Sequence, residues 1–185
     1  MEEKTGLPIL SFESQARWEE WLDEHHAAQR GIWMKIAKKA SETPSITYPE
    51  AVESALCYGW IDGQKAALDE HAWLQKFSPR GPKSQWSKVN REKAEALIGA
   101  GRMKPSGLRQ VELAKADGRW ELAYEPQSRI TAPEDFQREL NLNPPAQEFF
   151  NSLNSANRYA ILHRIQIASS QRLAPDVFAS LSRCW

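Results

Sequence analysis

The sequence predicts an α+β fold, predominantly helical, with a small antiparallel sheet of about three strands. Three observations predict it. Short runs rich in β-branched and aromatic residues recur at 32–37, 60–64 and 72–77. Between and after them lie segments whose apolar residues repeat at i, i+3, i+4, the spacing of one helix face. Serine, threonine, proline and glycine punctuate these segments where helices start and stop.

The first helix follows Ser11 or Ser14 as cap, with Trp18, Trp21 and Leu22 on one face and Glu19, Glu20, Asp23 and Glu24 towards water. Its end is expected at Arg30-Gly31, the glycine taking a left-handed cap. Ile32–Ala37 reads as a strand, and a polar loop runs from Lys38 to Ser45. Thr47-Tyr48-Pro49-Glu50 is a capping box with proline in the first turn, and Val52, Ala55 and Leu56 supply the buried stripe up to Gly59. Trp60–Gln64 and Ala72–Phe77 form a hairpin turned at Asp69-Glu70-His71. Asn90 is expected to cap a helix over 91–100, and Gly107 to precede another over 108–117, the two packing as an antiparallel pair. A linker at Glu125–Arg129 leads to helices opened by the capping-box pattern Thr131–Glu134, by Asn143-Pro144-Pro145 and by Ser155.

The chain of 185 residues is the size of one domain, with a helix and sheet core over 11–124 and C-terminal helices over 130–185 packing on it. Its 41% hydrophobic and 26% charged content is that of a globular protein. Eight tryptophans require partners for their indole N–H groups. No apolar run is long enough to span a bilayer, and Met1-Glu2-Glu3-Lys4 is acidic where a secretion signal would be basic. A cytoplasmic protein without membrane contact is the expectation. Cys57 and Cys184 have no redox or metal spacing, and the four histidines are scattered, so neither disulfide nor metal site is expected. No cofactor is expected either: dinucleotide, Walker, esterase and zinc-protease motifs are all absent.

The zero net charge hides a segmental imbalance. Residues 1–74 carry 7 Lys+Arg against 13 Asp+Glu, and residues 75–119 carry 11 against 4. The basic segment either presents an anion or nucleic-acid surface or folds back on the acidic third and is neutralised.

A run of words resembles one known family. These are Trp33-Met34-Lys35-Ile36 with Lys38-Lys39, Tyr48-Pro49-Glu50-Ala51, and Ala55 through Gly63. They continue with Phe77-Ser78-Pro79-Arg80, Lys83–Ser87 with Asn90, Gly101-Arg102-Met103, Gly107-Leu108 and Asp117–Trp120. In these words, centred on residues 48–124 and continuing to Asn157-Arg158-Tyr159, the chain resembles the bacterial bacteriocin-protection, YdeI or OmpD-associated family. The resemblance implies a role in tolerance of bacteriocins or antimicrobial peptides, and no established chemistry. It departs from the family after Ser170, where relatives carry an arginine-rich helix.

Two constellations point to a ligand. In a strand of period two, Trp60 and Asp62 share a face, which places an acid beside an indole unless Asp62-Gly63 forms a bulge. The stretch Pro79–Asn90 is a stiff, cationic turn ahead of a helix, in which Arg80, Ser84, Ser87 and Asn90 can meet an anion or serve as caps and ion-pair partners. Trp86 lines the hollow or fills the core. Lys35 and Arg102 complete the expected set of Lys35, Trp60, Asp62, Arg80, Ser84, Trp86, Ser87, Asn90 and Arg102.

The leading expectation is a stress- or bacteriocin-protection protein that binds a small anionic or peptide-like ligand in a Trp-lined, charged cleft. An uncharacterised hydrolase or transferase using Asp62 or Glu53 as base is the second reading. A nucleic-acid-binding module built on 75–119 is the third. Whether the protein is an enzyme, and its oligomeric state, are left open by the sequence.

Overall fold

The computed structural model describes residues 3–181, with side chains as far as residue 168. Met1, Glu2 and Cys184 lie outside the described residues. The chain divides into two compact units, the first of residues 1–84 and 92–116, the second of residues 85–91 and 117–185.

The first unit is built on a five-stranded sheet of β1 (Glu3–Lys4), β2 (Leu7–Ser11), β3 (Ile32–Ala37), β4 (Trp60–Ala67) and β5 (Ala72–Pro79), in the order β1-β2-β3-β5-β4. The expected sheet of three antiparallel strands is therefore incorrect in number and in type, while the α+β class holds. β2 pairs parallel with β3, and the other neighbours are antiparallel. Two features hid the extra strands. β1 is two residues long, and Pro8 in β2 marks an edge or a non-strand because it has no N–H to donate. Pro8 is tolerated because it sits opposite the short β1, while Ile9, Leu10 and Ser11 pair with β3. The parallel pair needs a crossover, and helix α1 (Gln15–His25) supplies it.

Ser14 caps α1, its hydroxyl accepting from the Arg17 N–H at 3.4 Å. The helix stops at His25, short of Gly31. Gly31 serves close packing instead of a helix cap: a Cβ there would lie 2.8 Å from the Phe77 carbonyl oxygen. Helix α2 (Tyr48–Cys57) begins with the complete capping box, Thr47 and Glu50 each bonding the other's backbone N–H. The β4–β5 hairpin turns at Asp69, whose Oδ1 accepts from the His71 and Ala72 N–H groups at 2.8 and 2.7 Å. Those bonds hold the Asp69 carboxyl below the usual carboxylate range.

The core lies where α1 and α2 cover one sheet face. Trp18, Trp60 and Phe77 are buried together, with Trp18 centroids 6.0 Å from Trp60 and 5.8 Å from Phe77. Both buried indoles are satisfied: Trp18 Nε1 donates to the Ala51 carbonyl and Trp60 Nε1 to the His26 carbonyl, each at 3.1 Å. Helix α4 (Pro105–Ala116) starts at its proline, two residues before Gly107, and Gly107 is buried against α2. The expected antiparallel pairing of α4 with α3 (Lys88–Gly99) yields to this α2 contact, because Gly107 lets the backbones approach.

In the second unit an isolated parallel bridge joins Ser87, just before α3, to Tyr124. Tyr124 N–H donates to the Trp86 carbonyl and Lys88 N–H to the Tyr124 carbonyl, each at 2.9 Å. Trp86 and Trp120, both buried, meet edge to face at 4.8 Å. Helices α5 (Glu134–Leu142), α6 (Pro144–Ser152) and α7 (Ser155–Leu181) follow. The capping-box reading of Thr131–Glu134 is not realised, since α5 has no side-chain cap bond. Asn143 does cap α6, and Asn154 instead of Ser155 bonds the first turn of α7.

A Cβ at Gly107 would sit 2.2 Å from the Cys57 carbonyl oxygen, whereas one at Gly99 would meet nothing within 4 Å. Gly107→Ala is expected to cost about 1–3 kcal/mol by forcing α2 and α4 apart. Gly99→Ala should instead stabilise by about 0.5–1 kcal/mol. Urea midpoints of the two variants check the contrast, and similar midpoints for both would refute the close approach.

Candidate functional site

A groove of about 870 Å³ lies in the first unit, where the ends of β3, β4 and β5 meet the 38–47 loop and the start of α2. Its size falls in the usual range for small-molecule sites, about 300–1,000 Å³. The floor is apolar, with Ile36 and Ile46 buried and Ala37, Ala66 and Ala67 leaving width beside the half-buried Trp73. Tyr48 forms one wall, its ring centroid 5.7 Å from that of Trp73 at 56°. The Tyr48 hydroxyl donates to Asp62 Oδ2 at 2.6 Å, which pins the ring.

Lys38, Lys39 and Lys65 are the charged residues of the lining, and no acidic side chain contributes to it. Among the described residues none of these lysines lies within ion-pair distance of a carboxylate. Lys38 Nζ donates to the Asp69 backbone carbonyl at 2.8 Å. Lys65 Nζ stands 4.2 Å from the centroid of the Trp73 ring.

A β-bulge brings Lys65 to this face. Asp62 pairs with Phe77 and Lys65 with Gln75, so β4 carries one residue more than β5 between the two pairs. Without that residue Lys65 would point to the opposite face. The buried Gln75 fixes the irregularity, its Nε2 donating to the Gly63 carbonyl at 2.8 Å.

The residues expected to form the cleft are distributed as follows. Trp60 and Asp62 do share a sheet face, but Trp60 is only 1% exposed within the aromatic core, and Asp62 receives the Tyr48 phenol at the edge of the groove. Arg80 is buried at 5% exposure in the first unit, its N–H bonded to the Gly59 carbonyl. Ser84 Oγ accepts from the Gly81 N–H at 3.0 Å. Trp86, Ser87 and Asn90 belong to the second unit, where Ser87 Oγ accepts from the Asn90 N–H and so caps α3, the role expected of Asn90. Lys35 is exposed and lines a separate hollow of about 220 Å³ with Glu13, Ser45 and His71. Arg102 bridges Glu19 at 3.2 Å and Glu53 at 3.3 Å. Sequence reasoning passed over Tyr48, Lys38, Lys39, Lys65 and Trp73 as site residues. The hairpin register carries part of the missing signal, since Ala67 faces Trp73 and Lys65 is then its diagonal neighbour.

Residues 10–110 match the family described as a domain of unknown function (DUF8412), a stretch of more than half the chain that contains the whole groove. The chain belongs to that family. Residues 129–172 match a second family, described as Bacteriocin-protection, YdeI or OmpD-Associated, the one that the sequence resembles. The second match begins beyond most of the words that carry the resemblance, for these lie largely within 10–110. No curated protein and no solved structure matches the chain. No helix among the described residues is long and apolar enough to cross a membrane.

The DUF8412 stretch also contains a charged crevice of about 260 Å³, lined by Glu19, Cys57, Tyr58, Arg102 and Lys104 among others. Fully buried Ser54 donates to Glu19 Oε1 at 2.7 Å, and Tyr58 donates to Asp23 Oδ1 at 2.7 Å. Burial pushes the Cys57 thiol up to about 11, and burial together with the Asp23 bond raises the Tyr58 phenol. Cys57 is thus a neutral packing residue and a poor nucleophile.

A thiol ionising near 9 when unfolded and about 11 when folded adds stability that is complete below pH 9. That contribution is lost as pH rises through 11, and Tyr58 acts in the same direction. Denaturant titrations from pH 8 to 11 should show falling stability, and Cys57→Ala should flatten part of the fall. A pH profile identical in wild type and variant would remove Cys57 as a cause.

Proposed function

We propose that the protein binds a small anionic ligand, a peptide's terminal carboxylate included, in the groove between the 38–47 loop, the start of α2 and the ends of β4 and β5. The observation that carries this reading is the lining itself: three lysines with no carboxylate in ion-pair range among the described residues, around an apolar floor that contains Trp73 and Tyr48. An apolar floor excludes water, and ammonium groups at its margin then attract an anion more strongly than they would in bulk solvent. The match of residues 129–172 to the bacteriocin-protection family supports a protective role for such binding.

The basic segment 75–119 lends itself less to a nucleic-acid surface. Arg102 and Lys104 engage Glu19, Glu53 and Asp23; Lys88 pairs with Glu125, and Arg119 with Asp117. Arg91 donates to the Trp120 carbonyl. Cations committed in this way release few counterions on meeting phosphates.

The test is a thermal-shift screen of carboxylates and phosphates on wild type and on a Lys38→Ser, Lys39→Ser double variant. A ligand at about 100 times its Kd adds about 2.7 kcal/mol of stability. That should raise the wild-type midpoint by about 5 °C or more, with a smaller rise in the variant. The rise should shrink with added salt. Absence of any shift across the screen, or an equal shift in the variant, would refute the assignment.

A further inference from the structure

We infer that the ligand of this groove joins a flat aromatic ring to its anionic group, and that Lys65 selects it by leaving the face of Trp73 to pair with that group. The inference rests on the anion-binding reading above and goes further, to the ligand's body. Simple anion binding needs the lysines alone. The groove supplies more, because Trp73 offers an indole face at its floor, Tyr48 touches that ring at 5.7 Å and 56°, and the strand residues paired with Trp73 are the buried Ile36 and the small Ala67. Two rings in tilted contact form an aromatic corner, in which a third ring can stack on the Trp73 face that the Lys65 ammonium covers and meet the Tyr48 edge.

The state of Lys65 identifies the moving part. Its ammonium rests 4.2 Å from the Trp73 centroid, with no carboxylate in ion-pair range among the described residues. A cation at a partly exposed ring face is weakly held. A ligand ring that takes this face displaces the ammonium, and a carboxylate or phosphate on the same ligand gives it a stronger partner. A neutral ring displaces the ammonium without that return. The anchors do not move: Tyr48 is tied to Asp62, and Gln75 holds the bulge from which Lys65 projects. Lys65 therefore acts as a specificity residue that penalises uncharged rings and rewards charged ones.

Calorimetric titration of wild type, Lys65→Met and Trp73→Leu with naphthoate, octanoate and naphthylmethanol tests this, with circular dichroism confirming that each variant folds. Naphthoate should bind wild type about five- to tenfold tighter than octanoate, a gap that Trp73→Leu closes. Lys65→Met should weaken naphthoate severalfold while leaving naphthylmethanol unchanged or tighter. A tripeptide ending in Trp, as free acid and as amide, forms the peptide arm, and binding of the acid alone supports the inference for a chain terminus as naphthoate does for a free molecule. Equal binding of octanoate and naphthoate, unaffected by Trp73→Leu, would overturn the aromatic requirement and leave the anion site standing. Lys65→Met weakening naphthoate and naphthylmethanol alike would overturn the role of Lys65. Failure of every carboxylate to bind folded wild type would overturn both readings.

Discussion

The contact on which the rest of the first unit depends is the packing of Trp18 against Trp60 and Phe77. A buried tryptophan removes 150–250 Å² from water, roughly 4–6 kcal/mol of transfer free energy each, so these rings dominate the attachment of α1 to the sheet. Their N–H groups add direction that apolar burial lacks. Trp18 reaches into α2 at Ala51, and Trp60 reaches back to the end of α1 at His26, so two helices and a strand are fixed to one another by bonds whose loss leaves a buried donor unpaired. With α2 set in this way, its first residue, Tyr48, comes over the β4–β5 face and meets Trp73 and Asp62. The groove is thus a consequence of how the aromatic core positions the start of one helix.

What the sequence disclosed about the fold follows the range of the interactions involved. Helix α2 was legible because every determinant is local: Thr47, Pro49 and Glu50 lie within one turn, and the capping box they form is complete. The β4–β5 hairpin was legible for the same reason, its turn being closed by Asp69 on the His71 and Ala72 N–H groups. The parallel pairing of β2 with β3 was not, because it joins segments on either side of a whole helix and one of them contains Pro8. Gly31 illustrates how a residue type misleads: glycine after a helix suggests a cap, yet this one answers to the Phe77 backbone, which is distant in sequence.

The site was less legible than the fold, and the bulge in β4 explains much of the difference. Period-two reasoning places Trp60 and Asp62 on one face, as observed, but says nothing of what covers each. Trp60 lies under α1 and Asp62 beside Tyr48. Past Asp62 the same reasoning assigns Lys65 to the wrong face, since the extra residue inverts the alternation. The sequence allows a bulge at Asp62-Gly63, but its register is fixed by the partner strand, here through the Gln75 side chain, so its effect on Lys65 is not legible in β4 alone.

Of the two outcomes that the charge count leaves open for residues 75–119, the ion pairs favour neutralisation against the acidic third. The count singled out residues 75–119, whose surplus of cations is large. Yet a surplus near an acidic neighbour is what folding consumes: Arg102 and Lys104 cross to Glu19, Glu53 and Asp23 of the acidic third, and each pair at this exposure is worth about 0–1 kcal/mol while leaving little field outside it. Lys38, Lys39 and Lys65 come from the segment whose net charge is negative. Their neighbours in the fold are Trp73, Tyr48 and backbone, because a capping box already occupies Glu50 and a turn already occupies Asp69. The nearby acids are committed locally, Glu50 to the Thr47 hydroxyl and N–H and Asp69 to the His71 and Ala72 N–H groups, which holds both carboxyls below the usual carboxylate range and out of direct pairing with the lysines. An anion site therefore depends less on how many cations a segment carries than on whether the acids around them are already engaged.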